Sequence, residues 1–142
     1  MKTFTNLTAA AFVTFAAPVV TSAEASQNGA PRISENAHIV NSLLAAAIGD
    51  EIRKNCPTIS ARLIRVYREA KELERFALNA GYSKDEVEAF LDSEDEKQAM
   101  RERRDAYLAA NGVVSGDAES YCALGVKEIA NGSLTGKLLR AR

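Results

Sequence analysis

Residues 54–70 read KNCPTISARLIRVYREA, and this stretch decides much of the fold. It contains Cys56, one of two cysteines in the chain, directly before Pro57. Proline lacks an amide donor and disfavours helix in the residue before it, so a helix predicted from about Asn36 should end here. Apolar residues then recur every three or four positions, which predicts that a second helix begins within the same stretch.

The second helix is the most strongly amphipathic segment of the chain. Thr58 or Ser60 is the candidate N-cap residue, because a side-chain oxygen there can accept a hydrogen bond from the first amides. The apolar stripe runs from Ile59 to Ala80 with charged residues between its members. Gly81 supplies the expected stop. We therefore expect the apolar stripe to face the core.

Further helices are predicted downstream from their caps. Ser83 and Ser93 each begin a capping box, with glutamate at the third following position. Asp117 can cap a further helix, which Asn131 and Gly132 end. No segment alternates long enough to predict a strand, and the tail is expected to add only a short turn. The predicted fold class is all-α, a compact bundle of about five short-to-medium helices.

The N-terminus has the pattern of a secretory signal peptide. Lys2 is the only charge before Glu24, an apolar run follows from Leu7, and small residues precede possible cleavage after Ala23 or Ala25. An N-terminal anchor in the inner membrane is the alternative, although the run is shorter than the ~20 apolar residues that a span needs. The expected location is the periplasm.

The domain boundaries follow from this interpretation. We predict a signal peptide at residues 1–23, a flexible polar leader at 24–35 and a single helical domain at 36–142. The chain of 142 residues carries 18 basic and 19 acidic side chains. That balance gives no reason to expect nucleic-acid binding, which usually requires a basic excess on one face.

The two cysteines are best explained as one disulfide. They lack the spacing of a redox motif, and two cysteines with one histidine are too few for a typical zinc site. Exported proteins meet an oxidising compartment in which paired cysteines persist as disulfides. We therefore predict a Cys56–Cys122 bridge. A functional thiol or an intermolecular bridge is the alternative.

No catalytic, cofactor-binding or metal-binding constellation is evident. His38 has no sequence signature supplying a nucleophile or an orienting carboxylate. The acidic run from Asp85 to Glu96 lacks the alternating ligands and central glycine of a calcium loop. We expect no cofactor and no metal, and we expect a protein that is not an enzyme. The alternative is a cell-envelope enzyme that uses carboxylates such as Glu119 or Glu128 as acid and base.

A possible interaction face is carried by basic residues near the C-terminal half. Short basic runs on helices are more often simply solvated, yet these could contact a protein partner or a peripheral membrane complex. The candidate residues are Arg101, Arg103, Arg104, Lys137, Arg140 and Arg142. The oligomeric state is not predicted.

Four stretches carry a family resemblance: AAAIGDEIRKNCPTISARL (45–63), GYSKDEVEAFL (81–91), DAYLAANGVV (105–114) and SYCALGVKEIANGSLTGKLLRAR (120–142). They resemble an uncharacterised family of small exported alphaproteobacterial helical proteins, a domain of unknown function. The resemblance covers about residues 40–142 and implies an exported helical domain without an established activity. It also implies an alternative, an accessory or assembly role at the respiratory NADH:quinone oxidoreductase, beside whose genes relatives are encoded.

The function expected from these observations is binding rather than catalysis. The leading prediction is an exported, periplasmic, non-catalytic helical protein that acts through a protein partner. The accessory factor of an inner-membrane respiratory complex and the cell-envelope enzyme remain the alternatives.

Overall fold

A computed structural model describes residues 29–142, so the predicted signal peptide and the first part of the predicted leader lie outside the described residues. The described chain is mostly helical, which confirms the all-α prediction. A 3-10 helix (Ile33–Glu35) precedes the main elements. These are α1 (Ala37–Asn55), β1 (Ile59–Ala61), α2 (Leu63–Asn79), α3 (Lys84–Asp92), α4 (Glu94–Ala110), α5 (Ala118–Asn131), α6 (Leu134–Leu138) and β2 (Leu139–Ala141).

The predicted helix starts are confirmed by their caps. Ser83 accepts from the amide of Glu86, whose carboxylate accepts in return from the amide of Ser83, completing a capping box. Ser93 accepts from the amide of Glu96. Asp117 accepts from the amide two residues on. These bonds satisfy amide donors that a helix leaves unpaired at its N-terminus.

The helix stop at the end of α5 is also confirmed. Gly132 lies in the left-handed region at φ 61°, where a side chain would be strained. The turn that follows brings α6 back against α5, with the amide of Ser133 donating to the carbonyl of Glu128. The approach is close, because a Cβ on Gly136 would lie 1.9 Å from that carbonyl oxygen.

The main core forms around the C-terminal half of α1. Ile52 is fully buried between α5 and the two short strands, and its neighbours Ile48, Ile59, Leu124 and Leu139 are almost equally inaccessible. Burying each such side chain stabilises the fold by about 1.5–3 kcal/mol. α1 contacts every other helix except α3 extensively, so it is the central element of the domain.

The prediction that the chain lacks strands is wrong at one place. β1 and β2 pair antiparallel, with Ser60 opposite Arg140. Ser60 therefore does not cap α2, and neither does Thr58; α2 follows Arg62, which makes no side-chain cap bond. Three-residue strands are too short to show alternation, and the pairing depends on a segment 80 positions away.

The end of the predicted leader also differs from expectation. Ile33 is buried in a second, smaller core with Ile39, Ala77 and Tyr82. The hydroxyl of Tyr82 donates a 2.7 Å hydrogen bond to the carbonyl of Pro31. Residues 31–35 are therefore packed on the domain rather than free of it, because a single apolar side chain and one tyrosine hold them there.

Candidate functional site

α2 leaves several of its apolar side chains uncovered. Leu63, Ile64 and Tyr67 are 75%, 88% and 67% exposed, and Ala77 is the only buried residue of the helix. We call Leu63, Ile64 and Tyr67 the stripe. An amphipathic helix of a globular protein normally buries its apolar side. The expectation that the whole apolar side of α2 faces the core is therefore wrong.

A groove lies beside the stripe, between α1, α2 and α3. Its volume is about 390 Å³, and its lining is predominantly apolar. The lining side chains include Leu43 and Ala46 of α1, Val66, Ala70 and Leu73 of α2, and Val87, Phe90 and Leu91 of α3. Large exposed apolar surfaces usually mark interaction sites. The groove and the stripe are the candidate site.

The groove continues towards the strands. A smaller depression of about 160 Å³ shares Ala46, Val66 and Leu138 with it and reaches Leu63. From Leu63 to Leu78, the apolar surface follows α2 over 16 residues, or about 22 Å at the rise of an α-helix. That length corresponds to about four helical turns.

The groove has an acidic edge. Glu69, Glu74 and Glu88 line it with one basic residue, Lys84. The ammonium of Lys71 lies 2.7 Å from Glu74, and this hydrogen bond holds the pKa of the Glu74 carboxyl below its usual value. The carboxylate is therefore charged at neutral pH. Exposed pairs of this kind contribute little to stability, so exchanging partners costs little.

Three of the six basic residues predicted as an interaction face already have partners within the fold. Arg104 lies 3.4 Å from Glu51 of α1 and 2.8 Å from Asp105. Arg101 donates to Gln98 on its own helix, and Arg140 donates to Ser60 across the strand pair. Arg103, Lys137 and Arg142 are exposed. Within residues 29–142 no hydrogen bond or ion pair joins the 101–104 segment to the tail, and the interaction face stays a prediction.

The predicted disulfide is confirmed. The sulfurs of Cys56 and Cys122 are 2.01 Å apart, joining the end of α1 to α5. Cys56 is 1% exposed within the main core. The Thr58 hydroxyl lies 3.2 Å and 3.6 Å from the two sulfurs. The bridge fixes the corner between α1 and β1, and it lines neither the groove nor the smaller depression.

The two carboxylates named for the enzyme alternative lie apart. Glu119 is exposed in the first turn of α5, whereas Glu128 is 4% exposed near its end. Nine residues separate them, about 13 Å along the helix. Glycosidase-type pairs lie within about 5–9.5 Å of each other.

Glu128 has a structural arrangement of its own. Its carboxylate accepts hydrogen bonds from the hydroxyl of Tyr107, at 2.5 Å, and from the hydroxyl of Ser133. The bond to the carboxylate raises the pKa of Tyr107 to about 12. The carboxylate is thus satisfied inside the fold, where it ties α4 to the turn before α6. It lines neither the groove nor the smaller depression.

The remaining candidate positions show no catalytic grouping. His38 packs its ring on Phe76, with centroids 4.3 Å apart. Among residues 29–142, no three His, Cys, Asp or Glu side chains are placed to hold a metal ion. A search of the same residues found no helix with the length and apolar character of a membrane span.

The groove was missed by the sequence reasoning, although a signal existed. Leu63 and Ile64 are adjacent, so they widen the apolar arc of α2 beyond what a single neighbouring helix covers. An apolar arc that is wider than one neighbouring helix can cover predicts that the helix has a second contact surface.

The fold and the groove define a small, disulfide-linked helical domain with an apolar groove on its surface. The sequence profile of a family of unknown function (DUF5333) matches residues 31–140, and the chain belongs to this family. No curated protein and no solved structure gives a significant match.

Proposed function

We propose that this protein is an exported, non-catalytic protein that acts by binding another protein chain through the stripe and the groove. The observation that carries the proposal is the exposure of Leu63, Ile64 and Tyr67 beside an apolar groove. Interaction sites are enriched in large apolar and aromatic side chains that are dry only when bound. The exposure of these three side chains to water does not stabilise the fold.

The chemistry of the groove favours a protein over a lipid. The groove is partly open to solvent, whereas small-molecule sites bury most of their ligand. Glu69, Glu74 and Glu88 at its edge would repel the carboxylate or phosphate of a fatty acid or phospholipid. A helix can instead place apolar side chains at every third or fourth position along such a groove.

Two features support export. The Cys56–Cys122 disulfide is typical of an oxidising compartment. Residues 1–23 have the charge and apolar pattern of a signal peptide. The periplasm is the location proposed on these grounds.

Site-specific photocrosslinking in intact cells tests the binding surface. A benzophenone amino acid at Leu91, which lines the groove and is 48% exposed, should yield a protein adduct. The matched control places the same group at Val126, which is 57% exposed on α5 and outside the groove. Adding Ile64→Glu should abolish the Leu91 adduct. The proposal fails if Leu91 yields no adduct, or if Leu91 and Val126 yield the same adducts.

A further inference from the structure

We infer that the chain bound on this surface is a second copy of the protein, held by antiparallel packing of two α2 helices around a two-fold axis near Ala70. The inference rests on the proposed function and names its partner. It follows from three properties of α2 and the groove: their shape, their charge and the small residue between their two halves.

The surface has a projecting half and a recessed half. The stripe (Leu63, Ile64 and Tyr67) projects from the N-terminal half of α2. The groove is bounded by the C-terminal half of α2 and by α3, where Leu73 and Phe90 line it. A two-fold interface brings the same patch of both copies together. An antiparallel arrangement therefore places each stripe on the groove of the other copy, and both are covered at once.

The two halves carry opposite charge. Residues 62–68 of α2 contain Arg62, Arg65 and Arg68 and no acidic residue. The groove is lined by three acidic residues, Glu69, Glu74 and Glu88, and by one basic residue, Lys84. Lys71 and Arg75, in the same half of α2, are basic but do not line the groove. Antiparallel packing brings the basic half of each copy to the acidic half of the other. Such complementarity fixes the orientation of partners and suppresses wrong ones.

The present pairing of these charges does not oppose the arrangement. Arg65 and Arg68 contact Glu69 and Glu72 of their own helix at 3.4 Å and 3.9 Å. The Arg68–Glu72 contact is exposed, and exposed contacts four residues apart on one helix are weak and readily exchanged. The Nε of Arg65 is buried, so Arg62 and Arg68 are the exposed arginines of this half.

The midpoint of the surface permits close approach. Ala70 lies at the centre of residues 62–78 and is exposed. The distance between packed helix axes, about 8–10 Å, depends on the side chains at the contact. A small residue on the two-fold axis allows the shorter end of that range. A bulky residue there would hold the two stripes out of the two grooves.

Charge reversal gives the sharpest test, because the two halves can be altered separately. In one variant Arg62→Glu and Arg68→Glu make the stripe half acidic. In the other, Glu74→Lys and Glu88→Lys make the groove half basic. In a dimer of either variant alone, like charges then face each other at both contacts. An equimolar mixture pairs opposite charges at both contacts, so it should form a mixed dimer.

Sedimentation equilibrium of the purified protein up to about 100 µM, enough to populate a dimer with a Kd near 10 µM, measures this. Wild type should show twice the chain mass, and Ile64→Glu should weaken dimerisation at least about tenfold. Val126→Glu is the matched control and should remain dimeric. Circular dichroism establishes that every variant is folded, as expected for exposed positions.

Three results would overturn the inference. The first is a monomeric wild type at these concentrations. The second is a wild-type dimer whose charge-reversed variants do not recover association when mixed. The third is a Leu91 photoadduct with another protein in place of a dimer, which would leave the proposed function standing. Absence of any Leu91 adduct in cells would instead count against the proposed function itself.

Discussion

Removing the disulfide should cost about 4 kcal/mol of stability. Cys56 and Cys122 are 66 positions apart in the sequence. In the chain-entropy treatment, a crosslink across such a loop removes about 15 cal/mol/K from the unfolded ensemble, or about 4 kcal/mol at 25 °C. Net stabilities of domains are about 5–15 kcal/mol, so this is a large fraction.

The expected change in melting temperature follows from size. The described domain spans residues 29–142, which is 114 residues. With an unfolding entropy of about 2.1 cal/mol/K per residue, its total is about 240 cal/mol/K, so 4 kcal/mol lowers Tm by roughly 15–20 °C. Cys56→Ala, Cys122→Ala and the double variant should all lose about this amount, because any one of them opens the same loop.

Urea unfolding followed by circular dichroism, with and without reductant, measures these changes. Wild type in reductant should match the double variant, whose own stability should not respond to reductant. Cys56 is more buried than Cys122, so its substitution adds a small packing loss, at most about 1 kcal/mol. Additive losses of the two single variants would refute the reasoning, since residues of one bridge cannot lose it twice.

Three further outcomes are expected. Absorbance titration should show Tyr107 ionising near pH 12. Because its folded pKa exceeds the unfolded value near 10, the stabilisation from its bond to Glu128 is complete below pH 10 and lost between pH 10 and 12. Tyr107→Phe should remove this dependence of stability on pH. Gly136→Ala should destabilise by at least about 3 kcal/mol in urea, because its Cβ would overlap the Glu128 carbonyl, a backbone group with little freedom to move. Ile52→Ala should cost about 2–5 kcal/mol by the same assay, whereas Val126→Ala should stay within about 0.5 kcal/mol.

The parts of the fold that depend on local chemistry were predictable. The caps at Ser83 and Asp117 and the stop at Gly132 involve residues within a few positions of one another. The disulfide was predictable for a different reason, since two cysteines in a chain expected to be exported allow one intramolecular pairing.

The strands and the groove depend on distant partners. Ile59 continues the apolar spacing of α2, so it was assigned to that helix, yet it pairs with Ala141 in a strand. Periodicity identifies the apolar side of α2 but does not say how much of it a neighbour covers. That coverage depends on where α1, α3 and Leu138 lie, and local sequence does not specify their positions.

The pairing of β2 with β1 has a consequence for when this protein can fold. Leu139 completes the cluster around Ile52, and the amide of Arg142 donates to the carbonyl of Thr58. During synthesis, the core therefore stays open until residues 139–142 have been made, although the rest of the domain precedes them. A nascent chain in this condition exposes apolar surface and remains accessible to chaperones. On the export route proposed above, such a delay would keep the chain unfolded for translocation, and the disulfide would form as folding is completed after it.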